Sequence, residues 1–249
     1  MKATTQLSVS RKRTVTSIAV LLLLLNANLN AQNKNMVARL TRYEVKPEHQ
    51  NGFRKAISEY VLRSLDLGSN IMAEAYFEEA NPTVWWIIER WSSKKEFEKN
   101  SASSGFKATE LLFAKALVQP AKVIYVKDLE PLSKQQWRKT ARKNDKPITI
   151  MLFVDAKAGT EGNFKKVYHT AMPQFRGEPG VVTYQLSQLE EDSTRFVTYE
   201  KFRGEDAFQY HLKFPPIQPV IDYLETSIRQ QPFQTGIHRL IEFAPLTRE

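Results

Sequence analysis

The sequence predicts an α+β fold in which two tandem ferredoxin-like domains pack sheet to sheet as a fused dimeric α+β barrel. The main observation is an internal repeat, because residues 37–100 align with residues 148–211 without a gap, at an offset of 111. A repeat of about a hundred residues indicates a duplicated domain, since solenoid repeats have periods of roughly 20–50 residues. The aligned identities are Lys46/Lys157, Phe53/Phe164, Lys55/Lys166, Glu79/Glu190, Thr83/Thr194, Glu89/Glu200 and Phe97/Phe208.

The order of elements is the second observation. Copy one, residues 36–132, is predicted to form strand, helix, strand, strand, helix and strand, at 37–45, 47–67, 71–78, 84–91, 93–117 and 123–129. Apolar residues at the i, i+3, i+4 spacing mark the first helix, and Ser93 and Glu96 form a capping box for the second. Copy two, residues 148–246, repeats the order, with strands at 148–156, 181–189, 195–202 and 236–243. This β-α-β-β-α-β order is the ferredoxin-like arrangement.

The third observation is that the strands are apolar on both faces. Residues 84–88 and 148–154 carry bulky groups at successive positions. A ferredoxin-like sheet covers one face with its own helices, so something hydrophobic must cover the other. The other copy is the obvious candidate, which predicts a pseudo-dimer within one chain and leaves further oligomerisation open. The linker, 133–147, is rich in Lys and Arg, as solvated connectors usually are.

The first 31 residues have the layout of a secretory signal peptide. Positive residues at 11–13 precede an apolar run at 15–25 and a short polar segment that ends at Ala31. The alternative is a membrane anchor, but this run is far shorter than the roughly 20 residues that a spanning helix needs. We therefore expect no stable membrane anchor, and export to the periplasm or beyond with cleavage near Ala31.

Composition excludes several classes of protein. Removing residues 1–31 removes four positive charges and no negative one, so the net charge falls from +9 to +5. Such a mildly basic chain with scattered charges does not predict a nucleic-acid partner. The chain contains no cysteine, which excludes disulfides, thiol catalysis and iron–sulfur clusters. No glycine-rich nucleotide motif or metal-ligand spacing is present, so no cofactor and no metal are expected.

Copy two resembles the antibiotic biosynthesis monooxygenase family, most closely its quinol-monooxygenase branch. The resemblance rests on residues 178–180, Tyr184 and Leu186, the strand at 196–202, and the segment from Ala207 to Leu212. Copy one matches more weakly, through Trp86, Glu89, Trp91 and Phe97. The resemblance implies a dimeric α+β barrel. It also implies chemistry that ranges from cofactor-independent oxygenases to proteins without known activity.

The chain departs from the family pattern at several positions. Members of this branch often carry a second histidine five residues after the one matching His211, where this chain has Pro216. Copy one has Asn100 at the position of His211, and Glu110 stands where the haem-degrading branch needs a histidine. These departures weaken the catalytic interpretation and do not indicate haem.

His211 and Glu200 are the candidate catalytic residues. The family places a histidine at His211 beside the pocket between sheet and helices, and an imidazole is a natural proton acceptor for a phenol. The alternative is a helix-end histidine that contacts nearby carbonyls. Glu200 is either a second base or a residue that orients His211. Because Glu89 repeats it in copy one, a structural role at the barrel junction is the alternative.

Tyr184, Tyr199 and Phe208 are the candidate walls of a substrate pocket in copy two, and Trp86 is a candidate in copy one. Trp86 faces opposite to Trp85 and Trp91 along its strand. All four could equally fill a two-sided core.

Two functions of different classes follow. The first is an exported, cofactor-independent monooxygenase that acts on a small aromatic or quinol-type substrate with molecular oxygen, with copy two active. The second is a non-catalytic module that binds a small hydrophobic ligand through the same cavity or serves a structural role.

Overall fold

The computed structural model describes residues 36–230 and 236–246. The proposed signal peptide at 1–31 lies outside the described residues. Copy one contains strands β1 (Val37–Glu44), β2 (Asn70–Glu78), β3 (Val84–Trp91) and β4 (Lys122–Leu129). Its helices are α1 (Gln50–Asp66), which follows a 3-10 turn at Pro47–His49, α2 (Lys94–Ser101) and α3 (Ser104–Ala116).

Copy two repeats this order after a short linker helix, α4 (Lys134–Trp137). Its strands are β5 (Ile148–Asp155), β6 (Val181–Leu189), β7 (Arg195–Phe202) and β8 (Ile237–Ala244). Its helices are α5 (Glu161–Gly177), α6 (Glu205–His211) and, after a 3-10 turn at Pro215–Ile217, α7 (Gln218–Thr226). No helix in the described part of the chain has the length and apolar content required to cross a membrane.

The eight strands form one closed barrel in the order β1-β3-β2-β8-β5-β7-β6-β4, with β4 paired back to β1. Each copy supplies four adjacent strands. The copies are joined by antiparallel pairing of β2 with β8 and of β4 with β6. A closed barrel leaves no free sheet edge, and the predicted fused α+β barrel is confirmed.

The offset of 111 holds at the level of single hydrogen bonds. The Lys46 amide donates to Ala116 in copy one, and the Lys157 amide donates to Ser227 in copy two, both at 2.9 Å. Isolated bridges pair Val45 with Leu117 and Ala156 with Ile228 at the same offset. The sequence alignment of the two copies is therefore also a structural alignment.

The apolar core has three main parts. One lies between the sheet and helices of copy one, one lies in the same place in copy two, and the third fills the barrel lumen. The two-sided strands are explained by this arrangement, since each strand faces the lumen with one set of residues and the helices with the other.

The linker differs from the solvated connector that its charge predicted. Trp137 and Ala141 are buried, and Trp137 belongs to the lumen core. The Arg138 guanidinium donates to the backbone carbonyls of Leu65, Asn70 and Ile71. The linker therefore packs against the barrel. The linker contains few apolar residues, and the charged residues around them predicted a solvent-exposed segment.

Candidate functional site

Glu200, on β7, is buried under the helices of copy two. Its Oε1 accepts hydrogen bonds from the Thr198 hydroxyl at 2.7 Å and the Tyr184 hydroxyl at 3.2 Å. Its Oε2 lies 4.0 Å from Nε2 of His211. Burial raises the pKa of the Glu200 carboxyl, although the His211 charge and the two hydrogen bonds act in the opposite direction.

His211 lies at the end of α6, and its side chain is almost fully buried. Its Nδ1 is 2.8 Å from Oε1 of Glu178, in the loop after α5. The imidazole packs against the rings of Phe175 at 4.8 Å, Phe202 at 5.2 Å and Tyr184 at 5.6 Å. The Glu178–His211 pair therefore ties α6 to the loop that precedes β6.

The structure brings together four of the six residues predicted for the site. Tyr184 and Glu200 contact His211, and Phe208 packs on Phe202 at a ring distance of 5.4 Å, beside the imidazole. It places the other two, Tyr199 and Trp86, among the core residues of the barrel lumen. Tyr199 follows Thr198 and precedes Glu200 on one strand, so its side chain points to the opposite face.

The helix side of copy two is tightly packed around His211 and Glu200. Four cavities of about 230 to 550 Å³ are among those in the described part of the chain, and none of these four is lined by His211 or Glu200. A Cβ added to Gly180, at the start of β6, would lie 2.3 Å from Cβ of Ala207 in α6, so helix and strand are in direct contact there. The imidazole Nε2 and the Glu200 Oε2 are 4.0 Å apart, which is too far for a direct hydrogen bond, and neither residue lines any of these four cavities.

Copy one has a cavity of about 510 Å³ in the corresponding place, between β1 and α3. Three side chains of β1 form its base, Arg39, Thr41 and Tyr43, and apolar groups of α3 and the following loop form its wall. Glu110 also lines it. Small-molecule sites have this character, since they are mostly apolar concavities with a few polar groups that orient the ligand.

Arg39 at the base of this cavity is paired with Glu89, the copy-one equivalent of Glu200. Its Nε donates to Glu89 Oε1, while Glu89 Oε2 accepts from the Tyr60 hydroxyl and the Trp91 indole, both at 2.8 Å. Burial is the largest single effect and would lower the pKa of Arg39, but the charge and hydrogen bond of Glu89, together with Tyr60 and Tyr43, outweigh it and raise the pKa. The guanidinium also lies over the Phe97 ring at 4.5 Å. It is therefore a fixed positive charge.

Tyr43 supplies a second polar group to the cavity. Burial raises the pKa of its phenol well above the ordinary value, so this hydroxyl stays protonated at physiological pH. The group is thus a hydrogen-bond donor to a ligand rather than a base.

The duplication explains why this cavity lies beside the first strand of copy one. At the positions equivalent to Arg39, Thr41, Tyr43 and Glu110, copy two has Ile150, Leu152, Val154 and Ile221. These aliphatic residues belong to or pack against its core. The sequence hypothesis placed the site in copy two and did not single out Arg39, Thr41 or Tyr43. The sequence does contain a signal for this site. Polar residues lie on the buried face of β1, whereas the equivalent positions of β5 are aliphatic.

No group of three or more acidic or histidine side chains within residues 36–230 and 236–246 has the geometry of a metal site. The charged groups that line the copy-one cavity are Arg39 and Glu110, and Glu89 holds Arg39 from the side away from the cavity lining. Arg39 and Tyr43 can bind a hydroxyl or oxyanion of a small organic molecule in this cavity.

Comparison with known proteins agrees with this geometry. A crystal structure described as a putative monooxygenase from Lactobacillus acidophilus NCFM is similar, with a TM-score of 0.70, 13% identity, and coverage of 84% of this chain and 94% of that one. A second, a putative monooxygenase from Fusobacterium nucleatum, has a TM-score of 0.71 at 13% identity, covering 84% and 92%. An anthrone oxidase-like protein has a TM-score of 0.55 at 10% identity, covering 83% and 92%. These likenesses concern the fold.

Among curated proteins, no relative matches the sequence. The profile of the antibiotic biosynthesis monooxygenase family matches it twice, at residues 36–110 and 147–221, which are the two copies of the repeat. The chain therefore belongs to the antibiotic biosynthesis monooxygenase family, of which it carries two domains in tandem.

Proposed function

We propose that the protein is a cofactor-independent monooxygenase that oxidises a small phenol or quinol with molecular oxygen in the copy-one cavity. The observation that supports this most is the cavity of about 510 Å³ with the fixed positive charge of Arg39 at its base. Membership of the monooxygenase family supports the reaction class.

Arg39 supplies the charge that such a reaction needs. Among the described residues, Arg39 donates a hydrogen bond to Glu89 through Nε, and its terminal nitrogens donate to none of them, so their N–H groups are available to a ligand. A phenol bound with its oxygen at the guanidinium loses its proton more readily, because a nearby positive charge favours the anion. The Tyr43 hydroxyl can donate to the same oxygen.

The reaction balances without an external reductant. A deprotonated quinol gives electrons to dioxygen directly, and one oxygen atom forms a new bond to a ring carbon. The other oxygen atom leaves as water, with hydrogens that the ring has lost. The quinol is oxidised to a hydroxyquinone by four electrons, and dioxygen is reduced by the same four. The protein has to provide only a pocket that excludes water, a charge and a proton acceptor.

Two different residues are candidates for the proton acceptor, and experiment can distinguish them. In the proposed one, the Glu110 carboxylate at the cavity takes the phenol proton. In the arrangement predicted from the sequence, His211 is the base, Glu200 assists it and substrate binds in copy two. That arrangement requires α6 to move, because His211 and Glu200 are both buried and line none of the four cavities described above.

The test is oxygen consumption with a panel of hydroquinones and anthrones. We expect Arg39→Met to lower kcat/KM by about 100-fold, the usual cost of removing one donor that stabilises an oxyanion. Arg39→Met combined with Glu89→Gln avoids an unpaired buried carboxylate and should show the same loss. Ile150→Met, at the equivalent position of copy two, is the matched control and should keep full activity.

The variant His211→Asn, which copies Asn100 of copy one, decides between the two arrangements. Activity equal to that of the Ile150→Met control supports the copy-one site. Loss of oxygen consumption in His211→Asn with full activity in Arg39→Met would overturn it. Thermal stabilisation by the same phenols without oxygen uptake would instead identify a non-catalytic binding module.

We also propose that the protein is exported and that the mature chain starts near Gln32. The support is the charged, apolar and polar sequence of segments within residues 1–31. N-terminal sequencing of the protein from a periplasmic fraction tests this, and an intact Met1 in the cytoplasmic fraction would contradict it.

A further inference from the structure

The copy-one cavity is larger than a single aromatic ring requires. Its volume is about 510 Å³, whereas a closed apolar cavity of roughly 150 Å³ is enough to hold benzene. The groups that bind a hydroxyl or oxyanion, Arg39 and Tyr43, lie at its base, and most of its other lining is apolar. A ligand that fills this space therefore has an apolar part beyond the ring whose oxygen is held at Arg39.

The floor of this cavity continues from β1 onto the neighbouring strand β4. The two strands pair in antiparallel fashion, with Arg39 opposite Tyr125 and Thr41 opposite Val123. Residues that lie opposite each other in such a pair point to the same face of the sheet. The alternate residues of β4 belong to the lumen core, so Val123 and Tyr125 lie on the outer face of the barrel. They therefore extend the surface formed by Arg39 and Thr41.

This extension is apolar and open to solvent. Val118, in the loop before β4, is 57% exposed, Val123 is 40% exposed and Tyr125 is 44% exposed. Val118 and Val123 also line the cavity, so the exposed surface begins at its mouth. Exposed apolar groups that adjoin a cavity are typical of a binding site. We call these three side chains the β4 strip.

The corresponding surface of copy two is charged. Arg239, on β8, takes the place of Tyr125, because it pairs with Ile150, the equivalent of Arg39. Its guanidinium donates to Glu79 at 2.9 Å and to Glu205 at 2.8 Å. An ion-paired side chain thus crosses the surface that is apolar in copy one. The β4 strip is therefore not a requirement of the fold, and it occurs in the copy whose first strand adjoins the cavity.

We propose that the substrate of the copy-one cavity is a phenol or quinol that carries an apolar chain of several carbons, and that this chain lies on the β4 strip. The ring oxygen is held at Arg39 and Tyr43, and the chain leaves the cavity past Val123 and continues along Tyr125. Contact between chain and strip removes apolar surface of both from water, which favours binding. The inference rests on the proposed function for the position of the ring.

Isothermal titration of the full chain with phenol, 4-propylphenol and 4-hexylphenol tests the chain without depending on turnover. Full burial of a methylene strengthens binding about fourfold, so a chain covered on one side only should gain about twofold for each added carbon. Val118→Asp and Val123→Asp place a charge on the strip, and each should reduce the gain from phenol to 4-hexylphenol by about fivefold or more. Leu62→Asp is the matched control, because Leu62 is an exposed leucine of α1 that does not line the cavity.

Arg39→Met separates the chain from the ring, since it should weaken all three phenols by a common factor and leave the gain per carbon unchanged. Chain-dependent binding without oxygen uptake from the matching alkylhydroquinones would contradict the proposed reaction and still support the strip. Equal affinity for the three phenols, or an equal loss of the gain in Val123→Asp and Leu62→Asp, would overturn the inference. So would a dimer in sedimentation that Val123→Asp dissociates, because the strip would then be a contact between two copies of the chain.

Discussion

A single repeated residue shows how the two copies diverged. Glu89 and Glu200 occupy the same strand position, and both are buried. A buried carboxylate needs a partner, and each copy supplies a different one. Copy one uses Arg39 from the neighbouring strand, and copy two uses His211 from a helix, with Ile150 and Asn100 at the corresponding positions. The glutamate is thus required by the fold, while its partner determines what each pocket can do.

The copy-one pair predicts a large effect on stability. Glu89→Gln leaves the Arg39 charge buried without a counter-ion, which should lower the free energy of unfolding by about 3–5 kcal/mol. The double variant with Arg39→Met removes both charges and should recover most of that loss. Urea unfolding of the two single variants and the double variant measures the coupling. A double variant as unstable as Glu89→Gln would show that packing, not charge, determines the cost.

Because Glu200 is buried, we expect it to make the folded protein less stable as pH rises. A carboxylate in an ordinary salt bridge has the opposite effect on stability. Burial raises the pKa of its carboxyl in the folded state. Between the unfolded pKa, about 4.3, and the raised folded value, the folded protein binds more protons than the unfolded chain. Stability from this group is therefore present below the unfolded pKa and is lost as pH rises through the folded value.

Glu200→Gln abolishes that loss, because an amide keeps a hydrogen-bond acceptor for Thr198 and Tyr184 without ionising. We expect its stability relative to the wild type to increase as pH rises from about 4 and then to level off. Denaturation midpoints at a series of pH values measure this. A difference that stays constant with pH would show that Glu200 ionises as freely as in the unfolded chain.

At the level of elements, the contact of α6 with β6 determines how closed copy two is. The added Cβ of Gly180→Ala would lie 2.3 Å from that of Ala207, so the helix must shift. We expect a destabilisation of about 1–3 kcal/mol, typical of overpacking. Gly180→Ala with Ala207→Gly should recover part of it, less the helix propensity lost at Ala207. Thermal unfolding of both variants tests this, and an unaffected Gly180→Ala would indicate a looser contact.

Periodicity predicts elements better than it predicts cavities. The strands and their turns follow from alternation and from turn residues, since Asn81 and Asp192 each accept hydrogen bonds from the threonine two residues later. The copy-one cavity could not be predicted in this way, because it depends on how far α3 stands from β1. Trp137 was missed for a related reason. A single buried ring in a basic segment has no periodicity.

For the molecule as a whole, closure of the barrel makes the two copies one unit. The pairs β2–β8 and β4–β6 join the copies, and residues of both fill the lumen. The duplicated sequence predicts this closure because each sheet has a second apolar face. The position of the functional site depends instead on the residues that differ between the copies. Their effect on each pocket can be seen only when the two copies are superposed.

The closed barrel predicts that the copies unfold together. Four tryptophans are present, Trp85, Trp86 and Trp91 in copy one and Trp137 in the linker, so copy two has none. Tryptophan fluorescence therefore reports on copy one and the linker, whereas far-ultraviolet circular dichroism reports on both copies. Coincident transitions by the two probes are the mark of two-state unfolding.

Gly180→Ala, a change in copy two, should lower the fluorescence midpoint and the dichroism midpoint by the same amount. Ser69→Ala, at the equivalent position of copy one, is the control for an added or altered small side chain without the contact to Ala207. A fluorescence midpoint that stays at the wild-type value while dichroism becomes biphasic would mean that copy two opens alone. The strand pairs β2–β8 and β4–β6 would then be too weak to couple the copies. If the midpoints move together, a substitution that loosens α6 also destabilises copy one, which contains Arg39. Activity measurements on copy-two variants then require a stability measurement of the same variants.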